Sequence, residues 1–147
     1  MTAETTIRLA NTYSNIVAIK EACGDMAQIR EIIQRKPKDF LVLSGDDALA
    51  LPLIEAGGSG VISVLGNALP MQVSTTIKAA LKGDFEIAKK GFSEFEHLIP
   101  LLFAEGNPTG VKVMLNKFGL CENQLRLPML KSSDSLLMQI HAALEKF

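Results

Sequence analysis

A lysine at the end of an apolar run is the residue of this 147-residue chain best placed to do covalent chemistry. Lys20 closes Ile16-Val17-Ala18-Ile19, a nearly continuous apolar stretch of the kind expected for a strand buried on both faces of a parallel sheet. In α/β proteins catalytic groups gather at the C-terminal ends of parallel strands. An amine in such a place, partly desolvated, is freed in its neutral form to attack a carbonyl carbon. The same position also suits a lysine that marks where a strand meets water, and on position alone that reading is the commoner one.

Two further strand ends could contribute. In Ser44-Gly45-Asp46-Asp47, Gly45 lets a backbone approach a ligand, while Asp46 or Asp47 is expected to cap the following helix. After Gly60-Val61-Ile62-Ser63-Val64, either Ile62 or Ser63 could line a small pocket over Lys20. Glu21 should point to the opposite face from Lys20 and serve as a structural partner rather than a general base. His97 and His141 belong to no metal-binding spacing such as HxxxH or HExxH, and read as surface or packing residues. Cys23 and Cys121 form no CxxC pair and are expected to be reduced, half-buried side chains of a cytoplasmic protein. No phosphate-binding glycine loop is present, so neither a cofactor nor a metal is expected.

The elements that must position these residues alternate in the first half. The pattern predicts a helix over Thr5 to Tyr13, a strand over Asn15 to Lys20, and a helix capped at Gly24-Asp25 whose apolar face is Met26, Ile29, Ile32 and Ile33. A second strand covers Phe40 to Ser44. A short helical stretch follows to about Ala56, regular only after Pro52, and is ended by Gly57-Gly58. The third strand covers Gly60 to Val64. Strands starting near 15, 40 and 60 point to a parallel α/β sheet or barrel, of which residues 1–69 would be a part.

From Pro70 onward, residues 70–147 read as helices only. One spans Met71 to Lys82. A long one spans Asp84 to Phe103, carrying the stripe Phe85, Phe92, Phe95, with its last turn kinked at Pro100. Gly110 to Phe118 is capped at Thr109, Leu125 to Leu130 is a loop, and Ser132 to Phe147 is the closing helix, capped by Ser133 or Asp134. A closed eight-stranded barrel takes about 250 residues, so three strands imply a small open sheet or part of a barrel.

Composition excludes several classes. Net charge is −1 with 48% hydrophobic and 21% charged residues, which gives no electrostatic case for nucleic acid or membrane partners. No apolar run reaches the ~18 residues of a membrane span, and the N-terminus lacks the pattern of a secretory signal. With no Trp and one Tyr, an aromatic base-stacking surface is not expected.

Taken together, several segments resemble the dihydrodipicolinate synthase family. They are Asn15 through Ala22 with Gly24-Asp25, Leu43 through Asp47, and Gly57 through Val64. Asn107-Pro108 with Val111-Lys112, and Leu125-Arg126-Leu127-Pro128, resemble that family's C-terminal helical region. The resemblance covers essentially the whole chain and implies the C-terminal part of a (β/α)8 barrel, about three βα units, followed by helices. It also implies a class I aldolase-type lyase. Lys20 is then the nucleophile that forms an imine with pyruvate, before condensation with aspartate semialdehyde in the diaminopimelate route to lysine. Ile62 supplies a backbone contact to pyruvate and Gly45 lines the same pocket. The resemblance begins before the sixth barrel strand, so the threonine pair for the pyruvate carboxylate, the relay tyrosine and the arginine for the aldehyde's carboxylate have no counterpart here. Tyr13 is not the relay tyrosine, and the feedback site lies in the half without counterpart.

Three readings stay open. One is a lyase assembled with a separate N-terminal half, another an inactive truncated frame, and the third an interaction module using its helices. An N-acetylneuraminate lyase-like aldolase would use the same lysine. The open strand edge predicts a poorly soluble chain or a homo-oligomer, and no turnover by the chain alone.

Overall fold

Local signals account for most element starts and stops. In a computed structural model that describes residues 1–147, α1 (Ala3–Thr12) starts at Thr2, whose hydroxyl accepts the Thr5 N–H. β1 (Ala18–Glu21) follows. Next comes α2 (Met26–Arg35), capped by the Asp25 carboxylate on the Ala27 and Gln28 N–H groups. It ends before Pro37, with the Lys36 N–H bonded to the Ile32 carbonyl at 2.9 Å. β2 (Leu41–Ser44), α3 (Ala50–Glu55) and β3 (Gly60–Val61) complete the βα pattern. The chain divides into two compact units, Met1–Ser63 with Thr75–Lys89, and Val64–Ser74 with Lys90–Phe147.

The first unit holds one parallel sheet in the order β1-β2-β3. Its register pairs Ile19 with Val42 and Lys20 with Leu43, and Leu43 in turn with Gly60. Because side chains alternate along a strand, Ile19 and Val42 share one face. That face packs with Ala3 and Ile7 of α1, Ile29 and Ile32 of α2, Phe40, and Leu53 of α3. Ile32, Val42 and Leu53 are fully buried, each contributing about 1.5–3 kcal/mol relative to an exposed side chain.

The opposite face is bare. Leu41 is 45% and Ile62 46% exposed, and Lys20 is exposed with them. This corrects the expectation of a strand buried on both faces: helices of this chain cover one face only. Two boundaries also move. The helical stretch is regular before Pro52, because Pro52 falls in the first turn of α3, where a missing N–H removes no helical bond. The third strand shortens to two residues, since its partner β2 ends at Ser44.

α4 (Pro70–Leu81) and α5 (Phe85–Ser93) come next. The long helix expected from Asp84 to Phe103 is instead broken after Ser93 into a 3-10 turn, Glu96–Leu98, and α6 (Ile99–Phe103). Pro100 therefore sits in a first turn and kinks nothing. Phe92 meets Phe95 edge to face at 5.4 Å, and Phe95 is buried. In this second unit α6 also packs on α7 (Thr109–Lys117) and α8 (Asp134–Ala143). Pro108, not Thr109, precedes α7, and the Thr109 hydroxyl is buried without a hydrogen-bond partner.

Ser133 caps α8 by accepting the Leu136 N–H at 3.1 Å. The Glu105 carboxylate holds that cap, accepting the Ser133 N–H at 2.8 Å and its hydroxyl proton as well. These bonds keep the Glu105 carboxyl below the usual range. A depressed folded value stabilises the fold above the unfolded value, near 4.3, and is lost as pH falls through the folded one. Thermal melts of the parent and Glu105→Gln should accordingly differ at neutral pH and converge in that acid window; a constant difference would contradict the clamp.

Candidate active site

The bare sheet face carries the lysine and its two companions from neighbouring strand ends. Gly45 extends β2, its N–H donating to the Glu21 carbonyl at 2.7 Å, and Ile62 extends β3, its N–H donating to the Ser44 carbonyl at 2.8 Å. By alternation Lys20, Leu43, Gly45, Gly60 and Ile62 point the same way. Lys20 lies across Gly45: a Cβ there would fall 2.8 Å from Lys20 Cε, 3.2 Å from its Cγ and 2.7 Å from the Ala22 Cβ. The missing side chain is what lets the lysine stem lie flat on the sheet.

Gly45→Ala should thus push Lys20 aside against an Ala22 methyl that cannot rotate away. If Lys20 is the keto-acid nucleophile that the resemblance implies, its trapping rate should fall about tenfold or more, since misplacing a reacting group by about 1 Å costs up to about 100-fold. The overpacking should destabilise the unit by about 1–3 kcal/mol. Single-turnover trapping and a urea titration measure the two effects; an unchanged trapping rate would show that Gly45 is a turn residue only.

The other face at the same end is a hydrogen-bonded floor. Glu21, 5% exposed, accepts from the Cys23 N–H at 2.8 Å and the Gln28 amide at 3.3 Å. The expected structural role of Glu21 matches this. Ser44, fully buried, donates to the Asp46 carbonyl at 2.7 Å and accepts the Asp46 N–H at 3.1 Å. Neither aspartate caps α3. Asp46 turns back onto the Ala48 N–H at 2.8 Å, and buried Asp47 accepts the Ser63 hydroxyl. Leu49 stands at the cap position without a side-chain bond.

The sequence reading missed the Asp47–Ser63 pair, which ties the ends of β2 and β3 together beside Ile62. The signal was present: a carboxylate and a hydroxyl, each just past a strand end. Ser63 is therefore committed to the floor and Ile62 to the lysine side. Lys20 itself is exposed rather than desolvated, for the reason that its face carries no covering layer in this chain.

Tyr13 follows α1 at the end of the sheet opposite Lys20. Cys23 is exposed, not half-buried, and desolvation together with the Glu21 carboxylate raises its thiol, so it stays protonated at neutral pH. No three His, Cys, Asp or Glu side chains come together to hold a metal ion, and no helix is long and apolar enough to cross a membrane.

Known proteins resemble this chain over its whole length. The family model described as the Dihydrodipicolinate synthetase family matches residues 1–147. A 4-hydroxy-tetrahydrodipicolinate synthase of Azobacteroides pseudotrichonymphae is 51% identical over the whole chain, which covers 50% of that relative. The crystal structure of dihydrodipicolinate synthase from Aquifex aeolicus superimposes with a TM-score of 0.95 at 40% identity, over 99% of this chain and 50% of that one. A dihydrodipicolinate synthase from Acinetobacter baumannii, solved in complex with pyruvate, gives a TM-score of 0.93 at 34% identity, over 97% of this chain and 49% of its own. The chain thus spans about half the length of the curated relatives it matches. Its three parallel strands and their helices are the C-terminal part of a (β/α)8 barrel. On its sequence and its fold, the chain belongs to the dihydrodipicolinate synthetase family.

Proposed function

We propose that this chain supplies the imine-forming lysine and part of the pyruvate pocket of a 4-hydroxy-tetrahydrodipicolinate synthase. The observation that carries the proposal is the Lys20 stem lying over Gly45, beside Ile62, at the C-terminal end of a parallel sheet. The names of the relatives and the pyruvate-bound structure support it.

In this reading the Lys20 Nζ lone pair attacks the ketone carbon of pyruvate, a C–N bond forms, and the ketone oxygen leaves as water. A proton lost from the methyl carbon gives an enamine. That carbon then bonds to the aldehyde carbon of aspartate semialdehyde, on the way to 4-hydroxy-tetrahydrodipicolinate in lysine biosynthesis. Gly45 lines the pyruvate pocket and the Ile62 backbone contacts the bound keto-acid. Residues 1–69 form the strand-bearing barrel part, and 70–147 the last barrel helix with the C-terminal helical region.

The remaining strands of the barrel, the carboxylate anchors and the proton relay fall in the half of the relatives' length that this sequence does not span. Pairing along the free edge of β1, or association of copies of this chain in the cytoplasm, covers the bare face. General acid–base groups are worth about 10²–10⁴-fold, so the chain alone should form the imine without turning substrate over.

Incubation with pyruvate and borohydride, followed by peptide mapping, tests the reading. The expected result is a single reduced pyruvate adduct on the peptide containing Lys20. An unmodified chain, or an adduct on another lysine, would refute it.

A further inference from the structure

One hollow combines positive charge with apolar walls. It lies in the second unit, measures about 510 Å³, and is lined by Pro108, Lys112, Gln124, Leu125, Arg126 and Met129. Lys112 comes from α7, and Gln124 to Met129 from the loop before α8. Val111-Lys112 and Leu125-Arg126 are segments the sequence singles out, yet the lysine chemistry has no use for them.

Both charged residues in the hollow are cations, and no carboxylate lines it. The ion pair of this chain joins Arg35 to Glu31 within α2, and neither Lys112 nor Arg126 lies within ion-pair reach of an acid. Lys112 is half-buried, so its charge is less screened by water than that of a free surface lysine. Pro108, at the start of α7, forms another part of the wall, and no side chain caps that helix end. Its partial positive charge therefore adds to the other two. Three positive contributions on one concave wall repel one another, and an anion between them would relieve that repulsion.

The walls narrow the class of anion. An arginine takes a carboxylate through two parallel N–H bonds, while a lysine ammonium adds a compact charge. Pro108, Leu125 and Met129 offer carbon surface to whatever the carboxylate carries, and Gln124 adds an amide. We propose that this hollow binds an organic acid, its carboxylate between Lys112 and Arg126 and its short carbon chain against Pro108, Leu125 and Met129. The proposal does not depend on the imine reading.

Saturation-transfer NMR of butyrate with the full chain, at fixed ionic strength, tests it and tolerates any oligomeric state. Saturable transfer is expected in the millimolar range usual for one short anion, with none to neutral butyramide. Arg126→Gln and Lys112→Met should each raise the half-saturation concentration about tenfold, the weight of one charge-assisted contact. Inorganic phosphate, which has no carbon chain, should compete only at higher concentration. The proposal is overturned if transfer to butyrate rises without saturating, if both variants bind as the parent does, or if phosphate binds as tightly. Arg126 is exposed, so Arg126→Gln decides the matter if Lys112→Met melts early.

Discussion

Lys20→Arg is expected to abolish the reducible pyruvate adduct altogether while leaving the fold unchanged. A guanidinium keeps its proton throughout the accessible pH range and offers no lone pair to a carbonyl. Arginine preserves the charge, the long stem and any purely electrostatic attraction for the keto-acid carboxylate. A residual adduct in the variant would therefore locate the nucleophile elsewhere. Stability should move by less than about 0.5 kcal/mol, because Lys20 is exposed and makes no hydrogen bond or ion pair that the exchange would break. Intact mass after borohydride, set beside a thermal melt, separates loss of chemistry from loss of fold. Lys20→Ala should give the same chemical result.

Gly110→Ala should destabilise the second unit, against the intrinsic preference of the residue types. In an open helix the change to alanine gains about 1 kcal/mol. Here a Cβ at position 110 would fall 2.5 Å from the Leu101 carbonyl oxygen and 2.6 Å from the Leu102 Cα. Those are backbone atoms of α6, which cannot rotate out of the way. Leu102 is fully buried, and Val111, Val113 and Met114 of α7 are buried with it. Separating the helices to admit a methyl group would open that layer. Overpacking of this kind costs about 1–3 kcal/mol, and more when backbone must shift. We expect a net loss of at least about 1 kcal/mol in a urea titration. A variant as stable as the parent would show that α6 and α7 can move apart freely.

The sequence made local features legible and left non-local ones hidden. The Asp25 cap, the face Met26-Ile29-Ile32-Ile33 and the stop before Pro37 are all set within one helix, and α2 appears as expected. The break after Ser93 falls two residues past Gly91, which the helical period reads straight through, and Phe95 beyond it is buried. The run Ile16 to Ile19 is apolar whether its second face is covered by this chain or by another. Periodicity could not reveal that the helices here cover one side. Position alone left Lys20 ambiguous, and only the family resemblance of the segments around it singled it out. Its placement over Gly45 follows from the register of β1 with β2, a relation between residues 25 positions apart in sequence. The Asp47–Ser63 floor and the Lys112–Arg126 hollow likewise depend on how separate segments meet.

The bare face bears on how long an adduct lasts as well as on how it is made. Imine formation releases one water molecule, and the same water reverses it. At an enclosed lysine the expelled molecule escapes and the adduct persists until the next substrate arrives. On the proposed imine reading, an exposed Lys20 would leave bulk solvent in contact with the C=N bond, and hydrolysis would compete with every later step. On that reading, whatever layer lies over β1 and β2 would set the lifetime of the intermediate, even if it contributes no reacting group of its own.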